Sequence, residues 1–107
     1  MTLSYPRLFD LRQATFDPGE KPASRILCSE EGTRVVLLSF GAGQELAEHS
    51  APRPAILQIV DGEGWFELGD EQIGAHPGTW LRLPAYTRHA VRAKTPMTLL
   101  LTLLPKP

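Results

Sequence analysis

Apolar residues recur along the chain in short runs separated by turn chemistry, and no segment holds the three-and-four spacing of an amphipathic helix for long. The runs predict strands over residues 25–28, 34–40, 55–60, 65–68, 79–83, 89–93 and 97–104. Glu30-Glu31-Gly32-Thr33 links the first two as a hairpin, and Asp61-Gly62-Glu63-Gly64 links the next pair, with glycines free to take the positive φ that tight turns require. Gly69-Asp70-Glu71 and Pro77-Gly78 continue the rhythm. Short strands at such intervals imply an all-β domain, a sandwich or a barrel, rather than alternating strand and helix.

Residues 1–24 fit this pattern least. Phe16-Asp17-Pro18-Gly19-Glu20-Lys21-Pro22 is rich in breakers, so this stretch reads as an N-terminal arm that wraps the body with one short strand, ahead of a barrel body at 25–107. Composition changes little: 107 residues suffice for one domain with one core, and 42% hydrophobic against 21% charged residues is ordinary globular usage. A net charge of -1 supplies no general field for phosphate backbones or anionic lipids, which argues against nucleic acid and membranes as partners. Met1 to Leu11 mixes Ser4, Pro6, Arg7 and Asp10 among its apolar residues, unlike a signal peptide, and Leu99 to Leu104 is too short to span a bilayer. A cytoplasmic location is expected. Cys28 is the only cysteine, which excludes an intrachain disulfide and a multi-thiolate zinc site and leaves a small buried apolar group on a strand.

Three histidines hold the candidate chemistry. His49 follows the Gly-rich stretch Gly41-Ala42-Gly43-Gln44-Glu45-Leu46, and His89 follows the turn Pro84-Ala85-Tyr86-Thr87-Arg88; both are expected at strand beginnings. His76, between Ala75 and Pro77, reads as a surface turn. Arg53 shares the parity of His49 and could present a guanidinium to an anionic ligand near the rim, but between Pro52 and Pro54 it reads rather as a solvated arginine. Arg88 and Arg92 alternate against His89 and should point outward toward acidic groups or solvent. No G-x-S-x-G is present, no Lys-Ser/Thr follows Gly41-Ala42-Gly43, and neither Cys28 nor Ser50 has a positioned base in the sequence.

With these positions in view, the chain resembles the cupin superfamily, whose motifs run G-x5-H-x-H-x3-E-x6-G and G-x5-P-x-G-x2-H-x3-N. In the first, Gly43, His49 and Gly62 match in register, and the second imidazole and the carboxylate fall on Ala51 and Ala55. In the second, Gly78, Pro84 and His89 match, while Tyr86 replaces the glycine and Ala93 the asparagine. The resemblance implies a double-stranded β-helix, or jelly-roll barrel, with its site inside. It also implies that a complete member binds Fe, Mn, Ni, Zn or Cu through three imidazoles and a carboxylate. Of that set this chain keeps His49 and His89, which generally is too few for tight binding of a divalent ion. Any Zn, Ni, Fe or Mn is therefore expected to bind weakly or not at all.

Alternation puts Ala51 on the side of His49, turns Ala55, Leu57 and Ile59 inward, and lets Val91 and Ala93 line the interior beside His89. A pocket of Ala51, Ala55, Leu57, Val91 and Ala93 around two imidazoles fits a small, largely apolar molecule. The alternative is a metal-dependent dioxygenase or isomerase in which substrate or water completes a shell begun by His49 and His89. Catalytic residues are not assignable from the sequence. Homodimerisation is implied by the resemblance and supported by residues expected to face out: Ile56 and Val60 on one strand, and Leu100 and Leu104 opposite Met97, Leu99, Leu101 and Leu103 on another.

Overall fold

Alternating burial along Ala55–Asp61 and a run of leucines through Met97–Leu103 set up a sheet with one face against a core. The computed structural model describes residues 8–14 and 16–106, and within them the elements are β1 (Ala23–Glu30), β2 (Thr33–Phe40), β3 (Glu45–His49), β4 (Ala55–Asp61), β5 (Gly64–Leu68), β6 (Glu71–Ala75), β7 (Trp80–Leu83), β8 (His89–Ala93) and β9 (Met97–Leu103). They form a five-stranded sheet, β1-β2-β9-β4-β7, facing a four-stranded sheet, β3-β8-β5-β6. All pairings are antiparallel. This is the all-β jelly-roll architecture expected. The core lies between the sheets and includes Phe40, Leu57, Ile59, Phe66, Val91, Met97 and Leu99.

Two strands differ from expectation: β6 was not foreseen, and β3 ends at His49, where a strand was expected to begin. Each is an outer strand of the four-stranded sheet. Glu45-Leu46-Ala47-Glu48-His49 turns little more than Leu46 inward, and only Ala75 of Glu71–Ala75 is buried, so neither carries the apolar alternation that marks a strand.

The β1–β2 turn is a two-residue hairpin, with Glu31 at φ 53 and Gly32 at φ 81 between the paired Glu30 and Thr33. Positive φ at both positions matches the twist of the strands they join. Asp61 to Gly64 closes no hairpin: β4 and β5 belong to different sheets, and the chain crosses between them here. Gly62 has φ 83, and a Cβ on it would lie 2.1 Å from the Pro96 carbonyl oxygen. This crossing requires glycine.

The described part of the arm has no strand before β1 begins at Ala23. It lies against the outer face of the five-stranded sheet, where Ser39 donates a hydrogen bond to the Phe16 carbonyl at 2.5 Å and the Arg25 guanidinium sits 5.1 Å from the Phe16 ring centre. Residues 1–7, Thr15 and Pro107 lie outside the described residues, and with them most of the Met1–Leu11 stretch read above against a signal peptide. A bulge after Ile26 buries Leu27 and leaves Cys28 only half-buried, against the expectation of a buried thiol. Among the described residues no helix is long and apolar enough to cross a membrane.

Candidate functional site

At one end of the barrel the sheets part around a cavity of about 40 Å³. The five-stranded sheet contributes Leu38, Ala55, Leu57, Leu83, Leu99, Leu101 and Leu103, and the four-stranded sheet contributes Leu46, His49, His89 and Val91. Ala51, Arg53, Pro84 and Thr87 complete the wall from two loops. A buried water needs roughly 10–15 Å³, so the space takes about three water-sized groups, well short of the roughly 300–1,000 Å³ of drug-sized sites.

His49 and His89 are directly opposed on β3 and β8. Their ring centres are 4.3 Å apart with planes at 55°. Each Nδ1 lies 2.9 Å from the carbonyl oxygen two residues back, Ala47 for His49 and Thr87 for His89. A carbonyl can only accept, so Nδ1 must carry the proton; in a neutral ring, Nε2 then holds the free lone pair. The two rings differ in exposure: His49 is open to solvent, whereas His89 is 7% exposed. Burial holds the His89 pKa below the ordinary 6.5; the hydrogen bond to Thr87 opposes this, and the neighbouring His49 adds to it.

His49 is the last residue of β3 rather than the first of a strand, so Ala51 does not share a strand with it. Pro52 and Pro54 cannot donate to a ladder, and residues 50–54 form a connection that still brings Ala51 to the cavity wall. Ala55, Leu57 and Val91 also line it; Ala93 does not. Ala93 exchanges backbone hydrogen bonds with Gly43 and Gln44 at the far end of β8 and is packed in the core.

Arg53 is not a solvated side chain. Half-buried, it donates from Nε to the Leu104 carbonyl at 2.7 Å, and from Nη2 to Leu103 at 3.2 Å and to Gly32. It serves carbonyls at the β1–β2 turn and at the end of β9. Arg88 and Arg92 point outward as expected, to Glu48 at 2.6 Å and to Glu45 at 3.1 Å. His76 is exposed in the β6–β7 turn.

Leu99, Leu101 and Leu103 were read as sharing a face, but their place opposite Ile59, Leu57 and Ala55 depends on the β4–β9 register. Strand spacing alone carries no signal for that pairing. The donor set also bears on metal. The cavity wall holds no Asp, Glu or Cys, and among the described residues no group of three or more His, Cys, Asp or Glu side chains could hold an ion. Two imidazoles do not fit a divalent ion held tightly by protein groups alone.

No family model and no curated protein matches the chain. Solved structures do. An RmlC-like cupin protein from Desulfovibrio desulfuricans is 32% identical, with a TM-score of 0.87 over 94% of this chain and 98% of that one. The chain belongs to the cupin family. A cupin 2 conserved barrel domain protein from Leptotrichia buccalis is 30% identical over 90% of this chain and 47% of that one, with a TM-score of 0.80. A cupin superfamily protein from Desulfitobacterium hafniense, 23% identical over 96% of this chain and 94% of that one, shares the fold with a TM-score of 0.84. In this cupin, Ala51 and Ala55 stand on the cavity wall at the motif positions of the second imidazole and the carboxylate.

Proposed function

We propose that this cupin binds a small, largely apolar molecule in the barrel cavity, with the paired imidazoles as its polar anchor. The carrying observation is the wall itself, mostly leucine, alanine and valine, broken by Arg53, Thr87 and two adjacent rings whose Nδ1 atoms are already committed to backbone. Few polar groups in an apolar surround is the usual composition of a ligand site. The cavity volume limits the buried part of the ligand to a few non-hydrogen atoms. Methyl-detected NMR titration with small apolar fragments should move the Leu57, Val91 and Leu101 signals, and Ala51→Leu, which fills the cavity, should abolish the shifts. Unmoved methyl signals across such a set would contradict the proposal.

A second reading draws support from the fixed Nδ1 hydrogen bonds, which orient a histidine for ligation through Nε2. Here Zn, Ni, Fe or Mn binds weakly, and water or substrate completes its shell in a dioxygenase or isomerase. Stoichiometric metal in protein purified without chelator, lost in His49→Ala, would favour this reading over the first.

We also propose a cytoplasmic homodimer packed through the outer face of the five-stranded sheet. Val35, Ile56 and Leu100 there are half-buried, and Trp80, opposite Gln58, is 56% exposed. Covering such a face favours a self-complementary contact. Light scattering at micromolar concentration should give twice the chain mass, and Trp80→Glu should return it to one.

A further inference from the structure

We infer that the cavity selects neutral ligands carrying a hydrogen-bond donor on a compact apolar body, and discriminates against carboxylates of the same size. This rests on the cavity being a binding site, as proposed above. Both imidazoles spend their Nδ1 proton on a carbonyl oxygen of their own strand or loop, at 2.9 Å each. Their one remaining polar atom is therefore an Nε2 lone pair, so two adjacent rings present acceptors. A hydroxyl, phenol or amide N–H meets these with a hydrogen bond. A carboxylate meets lone pair with lone pair and also loses its hydration.

The charged side chain of the wall, Arg53, does not reverse this preference. Its Nε and Nη2 both donate to backbone carbonyls of Leu103, Leu104 and Gly32, so the Nε–Nη2 edge, one of those that could grip a carboxylate in two-point fashion, is occupied. Apart from Thr87, the remaining wall is aliphatic carbon, which favours a branched or compact apolar body.

Three probes with four non-hydrogen atoms each separate the chemistries: 2-propanol, 2-chloropropane and acetate. NMR titration of the full chain at about pH 8, above the ordinary histidine range, should show 2-propanol binding about tenfold more tightly than either of the others. In His89→Phe, which removes one acceptor, that advantage should shrink while 2-chloropropane binds as before. The ring 15N signals of the unsubstituted protein should show protonated Nδ1 and bare Nε2 on both histidines. Equal affinity for 2-propanol and 2-chloropropane, tighter binding of acetate, or a proton on Nε2 of either neutral ring would overturn the inference and leave the cavity reading standing. Absence of methyl shifts with all three probes would overturn the cavity reading itself, and the inference with it.

Discussion

The five-stranded sheet gives the cavity seven side chains, all leucine or alanine, whereas the four-stranded sheet gives it Leu46, Val91 and both imidazoles. The first sheet is built around the central strand β9, paired on both sides along its length. The second ends in β3 and β6, whose side chains are mostly exposed. The first sheet therefore walls the cavity with carbon, while the second, which shares the core through Phe66 and Val91, carries the polar groups toward its outer strand β3. This division predicts where substitutions hurt and where they only retune the site.

Leu99, fully buried in β9, and Ile73, 38% exposed in β6, test the comparison most severely. Leu99→Ala should cost about 2–5 kcal/mol by denaturant unfolding, and Ile73→Ala less than about 1 kcal/mol. Equal losses would erase the distinction. Filling the two vacant motif positions comes next. Ala51→His with Ala55→Glu should raise zinc affinity at least roughly a hundredfold, about 3 kcal/mol, after an overpacking cost of about 1–3 kcal/mol in a cavity this small. Calorimetry with His89→Ala as the control checks it, and unchanged affinity in a folded double variant would mean that these alanines do not face the imidazoles.

A smaller effect is expected at Tyr86, which sits at φ 66 where the cupin motif has glycine. That conformation costs a non-glycine residue about 1–2 kcal/mol, and the side chain is 71% exposed, so little burial offsets it. Tyr86→Gly should therefore stabilise the protein by about 1 kcal/mol, read as a higher denaturation midpoint. The smallest effect concerns His89. Its folded pKa lies below the ordinary 6.5, chiefly through burial, so the unfolded chain binds the proton first as pH falls. Stability from this group is whole above 6.5 and declines below it until the folded ring also protonates. Melting curves from pH 7.5 to 5 should show a steeper loss for the natural protein than for His89→Gln; parallel losses would contradict the direction of the shift.

Strands β2, β4 and β9 were legible within a residue or two because each buries a full apolar face. β3 and β6 were not, since Glu45–His49 and Glu71–Ala75 turn only one or two apolar residues inward. At the site, the motif resemblance brought His49 and His89 to one pocket, but it could not show that they face each other across β3 and β8 or that β3 ends at His49, because the ladder stops where Pro52 and Pro54 intervene. Ala93 has the inward parity assigned to it. Parity says nothing of depth along the barrel, and the cavity occupies only the end of β8 that holds His89. Arg53 was misjudged because its partners are backbone carbonyls 21 to 51 residues away, which no side-chain pattern announces.

The central claim, an apolar chamber between a carbon wall and a pair of imidazoles, can be tested by diffraction from a crystal pressurised with xenon. Xenon occupies dry apolar cavities and is kept out of filled or well-hydrated ones. A xenon peak among Leu57, Leu101 and Val91 in the natural protein, lost in Ala51→Leu, is the predicted result. A chain of ordered waters in that space, with no xenon peak, would contradict it.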